Sequence, residues 1–158
     1  MSLTNYFENE LQDLIFNNTT IPYLGDATGL VGSTADGSLF IALHTADPAE
    51  SPANQSANEA SYPGYARQEV IRQATGSPNG GWTVSGATAS NTAEIQFGAH
   101  SGGSPATQNI THFSVGYGDG GSPNADLVFY TGALSGTLAV SSGVNPTFAA
   151  GQLQISVD

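Results

Sequence analysis

Apolar residues recur on a period of two along several short runs of this chain. Leu39, Ile41 and Leu43 alternate with Phe40, Ala42 and His44, so both faces stay largely apolar until His44. Ile95 and Phe97 alternate with Glu94 and Gln96, and Phe113, Val115 and Tyr117 with His112, Ser114 and Gly116. Leu134, Leu138 and Val140 alternate with Ser135, Thr137 and Ser141, and Leu153, Ile155 and Val157 with Gln152, Gln154 and Ser156. A period of two places successive side chains on opposite faces of an extended strand, one face inward and one outward. DLVFY, residues 126–130, is apolar on both faces and predicts a central strand. YARQEVIRQ, residues 65–73, predicts another strand, and WTVSGATAS one or two more. Gly, Pro, Asn and Ser separate these runs. The pattern predicts a mainly β fold, an antiparallel β-sandwich or jelly roll of about eight strands.

One helix interrupts the β pattern. In NYFENELQDLIFNN, Asn5 is placed to cap the N-terminus, with Glu8 completing a capping box. Phe7, Leu11, Leu14 and Ile15 form one apolar stripe at helical spacing. Glu8 and Glu10 sit where the helix dipole favours them, and Asn17-Asn18 ends the run. Two readings of this short N-terminal α-helix stand: a plug for the core, or an arm that docks on a neighbouring subunit through Tyr6 and Phe7. The length fits a single domain over 1–158. The helix covers 5–16 and the sandwich 38–158, joined by the Gly-rich loop GDATGLVGSTADGS. The N-terminal MSLTNYFENELQ has neither the basic start nor the apolar run of a signal peptide.

Charge narrows the functional classes. Only 9% of residues are charged, and Arg67 and Arg72 are the sole Lys or Arg residues against a formal net charge of −11. Phosphate backbones and anionic membrane surfaces need clustered cations, so neither nucleic acid nor membrane is an expected partner. The chain has no cysteine, which excludes disulfides and thiolate metal sites. The hydrophobic share of 39% and the clear periodicity argue against disorder.

Candidate chemistry is sparse. There is no G-x-S-x-G nucleophile elbow. The three histidines lack zinc-ligand spacing. Asp119, Asn124 and Asp126 offer oxygen ligands in a Gly-rich loop, without the D-x-D run of a calcium site. Scattered carboxylates leave glycoside hydrolysis open, because separation in space is not visible in sequence. His44, three residues before Asp47, reads either as half of a dyad or as a strand end. In the strand-end reading, Thr45 to Pro48 is a turn. The connection over 45–64 is about twenty residues long, a length usually associated with function. Arg67 follows it, and Asp47 and Glu59 are its natural carboxylate partners. The Arg67 interaction reads as a clamp on the loop, an intersubunit contact, or a catalytic group. No cofactor or metal is expected, and the chain reads as a structural or binding protein, not an enzyme.

The order of short motifs carries a resemblance. LHTADPAE contains a T-x-D-P turn (Leu43, Thr45, Asp47, Pro48). Glu59 follows, then GYARQ (Gly64, Tyr65, Ala66, Arg67, Gln68). ASNTAEIQF, ITHFSVG, LVFYTGAL and VNPTFAAGQLQI come later, and LTNYFENELQDLIFNN opens the chain. This series resembles small virion proteins of tailed bacteriophages over most of its length. The resemblance implies a capsid decoration (cement) protein on the outside of the shell, trimeric, with the major capsid protein as partner. The mechanism would be mass action, since surface buried only in the assembled shell stabilises that state. Relatives are also labelled tail fibre proteins, which implies the alternative of a tail or fibre-tip component that binds host glycan. The absence of lysine and the longer 45–64 loop depart from the pattern.

Overall fold

The computed structural model describes residues 3–48, 54–73, 81–118 and 126–157. Among the described residues, one helix, α1 (Asn5–Asn17), precedes nine strands: β1 (Gly37–His44), β2 (Gln68–Arg72), β3 (Trp82–Ser85), β4 (Thr88–Asn91), β5 (Ile95–Gln96), β6 (Thr107–Tyr117), β7 (Leu127–Ser141), β8 (Thr147–Phe148) and β9 (Gln154–Ser156). They form a four-stranded sheet in the order β2-β1-β6-β7, a three-stranded sheet β3-β4-β9 and a two-stranded β5-β8. The mainly β expectation with antiparallel pairing holds. The chain divides into two compact units: Met1–Ser38, Val70–Ile95 and Phe148–Asp158 in the first, Leu39–Glu69 and Gln96–Thr147 in the second.

In the first unit, α1 is capped by Thr4 and not by Asn5. Thr4 is extended (φ −88°, ψ 148°), and its hydroxyl accepts from the Phe7 N–H at 3.4 Å, while Asn5 is already helical. Asn18 ends the helix in the left-handed region at φ 57°, a conformation Asn tolerates better than most residues. The buried face also differs from the expected stripe. Gln12, Phe16 and Asn17 are buried, whereas Phe7, Leu11, Leu14 and Ile15 are half-buried and Tyr6 is exposed. Phe16 packs on Trp82 with ring centroids 4.7 Å apart. Gln12 Nε2 donates to the Ala87 and Ile155 carbonyls at 2.8 and 3.0 Å, which ties α1 to the β3–β4 turn and to β9. A polar residue therefore occupies the inward position because it has main-chain partners there. Arg72 completes the helix end: its guanidinium donates to the Leu14 and Ile15 carbonyls. It meets carbonyls that the last turn leaves unpaired and the negative end of the dipole.

In the second unit, β1 and β6 run antiparallel with Ala42 opposite Ser114, Leu43 opposite Phe113 and His44 opposite His112. Leu39, Ile41, Leu43, Ile110, Val115 and Val140 are buried there. The segment 126–130 is not a central strand. It opens β7, which runs on through Ser141 at the end of the sheet, and Leu127 and Phe129 are exposed. Apolar residues on both faces mimic a central strand in sequence, yet in the sheet order this strand has β6 as its one neighbour among the described strands. The β6–β7 register slips between Ile110 and His112 and between Val115 and Gly116, which breaks the strict alternation expected along both strands.

Candidate functional site

The second unit gathers the polar residues singled out by sequence at the root of the 45–64 connection. The chain leaves β1 at His44 and returns against it. The Thr45 N–H donates to the Asn58 carbonyl at 2.8 Å and the Ala60 N–H to the Leu43 carbonyl at 2.8 Å. Asn54 starts the return with a turn in which its side-chain oxygen accepts from the Ser56 N–H at 2.7 Å. Asn58 closes it at φ 53° and donates from Nδ2 to the Asp47 carbonyl at 2.9 Å. The Asp47 carbonyl thus meets a side chain from the return of the loop. Residues 49–53 of the loop lie outside the described residues.

Arg67 lies at the centre of this arrangement, its side chain 5% exposed. It grips Glu59 with two parallel bonds, Nε to Oε1 at 2.7 Å and Nη2 to Oε2 at 2.8 Å, the fork geometry that makes Arg–carboxylate pairs strong. Nη2 also meets Asp126 Oδ1 at 2.8 Å, and Nη1 donates to the Gly118 carbonyl at 3.1 Å. The carboxylates in these ion pairs are Glu59 and Asp126. Glu59 is one of the two expected partners, whereas in sequence Asp126 stood only among the oxygen donors weighed for calcium. The Arg67 hydrogen bond holds the Asp126 carboxyl below its usual range, and the Glu59 hydrogen bond raises the already high arginine pKa. Asp119 and Asn124, the other calcium candidates, lie outside the described residues.

Tyr65 extends the network inward. Its hydroxyl donates to Glu59 Oε1 at 2.9 Å and accepts from the Leu43 N–H at 3.1 Å. Burial first, and then the Glu59 charge, push this phenol far above its ordinary value. Tyr65 stacks on Phe97, and the buried Tyr62 stacks on His100. Burial raises the Tyr62 pKa to about 12. Gly64 between them has φ 100°, and a side-chain carbon there would lie 2.3 Å from the Ala99 carbonyl oxygen. The GYARQ motif thus has a physical reading: a glycine for the tight approach, a tyrosine and an arginine for one carboxylate.

His44 has a partner that sequence reasoning missed. Nε2 lies 2.8 Å from Ser114 Oγ and Nδ1 lies 2.9 Å from the Ala57 carbonyl. Since a carbonyl only accepts, Nδ1 carries the proton and Nε2 accepts from the serine. Gln55 Nε2 donates to the same Ser114 oxygen at 3.1 Å. This is the connectivity of a serine–histidine pair, but both residues are fully buried, so no substrate reaches the oxygen. Burial lowers the His44 pKa. The signal in sequence was register: Ser114 stands two residues beyond His112, the partner of His44, and is its diagonal neighbour. Among the described residues no cluster of three or more His, Cys, Asp or Glu side chains is placed to hold a metal ion.

The sequence matches the family described as podophage GP4 fiber I protein gp80 over residues 2–156. The chain belongs to this family. It is therefore a structural protein of the phage virion, consistent with the resemblance carried by the T-x-D-P and GYARQ motifs. No curated protein matches it significantly. In this chain, Arg67 joins Glu59 from the return of the loop to Asp126.

Proposed function

We propose that the protein is a non-enzymatic fibre subunit of the virion, which works by burying surface against neighbouring virion proteins. The observation that carries the structural role is the enclosure of its reactive groups. Arg67, His44, Ser114 and Tyr65 bond to one another's segments and to residues 55–59 on the return of the loop. Groups so engaged position main chain and are taken up by internal hydrogen bonds. The fibre assignment follows the family's description. The second reading is a decoration protein on the capsid exterior bound to the major capsid protein. It is favoured by the compact β pattern without the repeats of a fibre shaft.

Gold-labelled antibody on intact particles, with quantitative mass spectrometry of the same particles, tests the proposal. Label on the fibres and a copy number in step with the fibres are expected. Label over the shell, in step with the major capsid protein, would replace the fibre reading with decoration. Purified particles that lack the chain would overturn both.

A further inference from the structure

Residues 19–33 of the first unit form a loop whose ends and middle are pinned. Asn18 brackets its end: Oδ1 accepts from the Ser33 N–H at 2.7 Å and Nδ2 donates to the Ser33 carbonyl at 2.9 Å. Ile21 and Leu30 exchange both main-chain hydrogen bonds, at 3.0 and 2.9 Å. Asp26 Oδ1 at the tip accepts from the Thr28 N–H at 2.7 Å, the Thr28 hydroxyl and the Gly29 N–H. A side-chain carbon on Gly29 would lie 2.1 Å from the Ile21 carbonyl oxygen. The loop is built to hold one shape.

That shape points apolar residues outward. Tyr23 is 81% exposed, Val31 63%, Leu30 46% and Leu24 43%. Tyr23 moreover sits at φ 61°, in the left-handed region that a bulky residue adopts at a steric cost. A strained, exposed aromatic on a braced loop is a feature that folding alone does not favour, and tyrosine is enriched among residues that dominate binding. Asp26 adds a fixed negative charge between the two apolar pairs, since its hydrogen bonds with Thr28 hold its pKa below the usual range.

We infer that this loop is a preformed docking knob for a different virion protein, one that offers an apolar pocket with a Lys or Arg set against Asp26. Charge complementarity selects that occupant. A second copy of this chain offers no lysine, and both of its arginines are engaged within it. The sequence holds two arginines and no lysine, Arg67 is enclosed by Glu59 and Asp126, and Arg72 lies on the end of α1. Two chains of net charge −11 also repel.

The inference rests on the chain being a virion component, and the test separates the two. A photoreactive phenylalanine analogue replaces Tyr23 in phage particles, which are irradiated and analysed by mass spectrometry. A cross-link to another virion protein, at a segment containing Lys or Arg, is expected. In reconstitution onto particles assembled without the chain, Asp26→Asn keeps the oxygen that holds the turn and removes the charge. It is expected to weaken attachment roughly tenfold at low salt and little at high salt. Val31→Ser is expected to weaken attachment at both. A cross-link to a second copy, no cross-link in particles that contain the chain, or variants that attach like the natural protein would overturn the inference and leave the virion assignment standing. Particles devoid of the chain would overturn both.

Discussion

Replacement of Arg67 by Met tests the clamp most severely. The variant removes the fork on Glu59 and the bonds to Asp126 and Gly118 while keeping an apolar stem of similar length. The Asp126 side chain is 37% exposed, so water takes over much of its share, and that pair contributes about 0–1 kcal/mol. The Glu59 side chain is only 18% exposed and would keep a charge in a site shaped for a cation. Removing one partner of such a pair costs about 3–5 kcal/mol. A domain stable by about 5–15 kcal/mol keeps its fold but loses a large part of its margin. In urea titration, at a mid-range slope of about 2 kcal/mol per molar, the midpoint is expected to fall by roughly 1.5–2.5 M. Arg67→Lys should lose most of the same stability, because an ammonium cannot reproduce the fork. Glu59→Gln combined with Arg67→Met should be less destabilised than the sum of the single changes. A loss below about 1 kcal/mol for Arg67→Met, or full additivity with Glu59→Gln, would refute the clamp.

Three further outcomes follow from the same geometry. His44 is held neutral by burial, below its ordinary 6.5. The unfolded chain therefore takes up its proton first, and stability falls as pH drops below that value. Urea midpoints between about pH 7 and 5 should fall more steeply for the natural protein than for His44→Gln; parallel profiles would contradict this. Gly64→Ala combines φ 100° with a clash against a main-chain oxygen, whereas Gly86 has φ 60° and open space. Thermal unfolding should show a loss of about 2–4 kcal/mol for Gly64→Ala and about 1 kcal/mol for Gly86→Ala. Arg72→Ala removes the donors from the end of α1 and should cost about 1–3 kcal/mol, with amide exchange in α1 accelerating ahead of the β6 amides.

The β character was legible because period-two runs such as Leu39–Leu43 meet a real face in the sheet. The site was legible in part. Glu59 and Arg67 read as partners because Arg67 is one of only two arginines and the loop before it supplies carboxylates. Asp126 was not legible as the other partner, because it is 59 residues away and only the β6–β7 pairing brings it near. Gln12 and Ser114 are buried polar residues whose partners come from segments distant in sequence, so polarity suggested exposure where hydrogen bonding permitted burial. The place of β7 at the sheet end was hidden for a related reason. Leu127 to Tyr130 carry the composition of a core strand without being covered like one.

The most direct test of the virion role is the position of the chain in a cryo-electron microscopy reconstruction of the whole particle. Density for the β2-β1-β6-β7 sheet in the fibres is expected, with the 19–33 loop seated on a different protein. Clear density for every fibre and shell protein with no place for this chain would contradict the account.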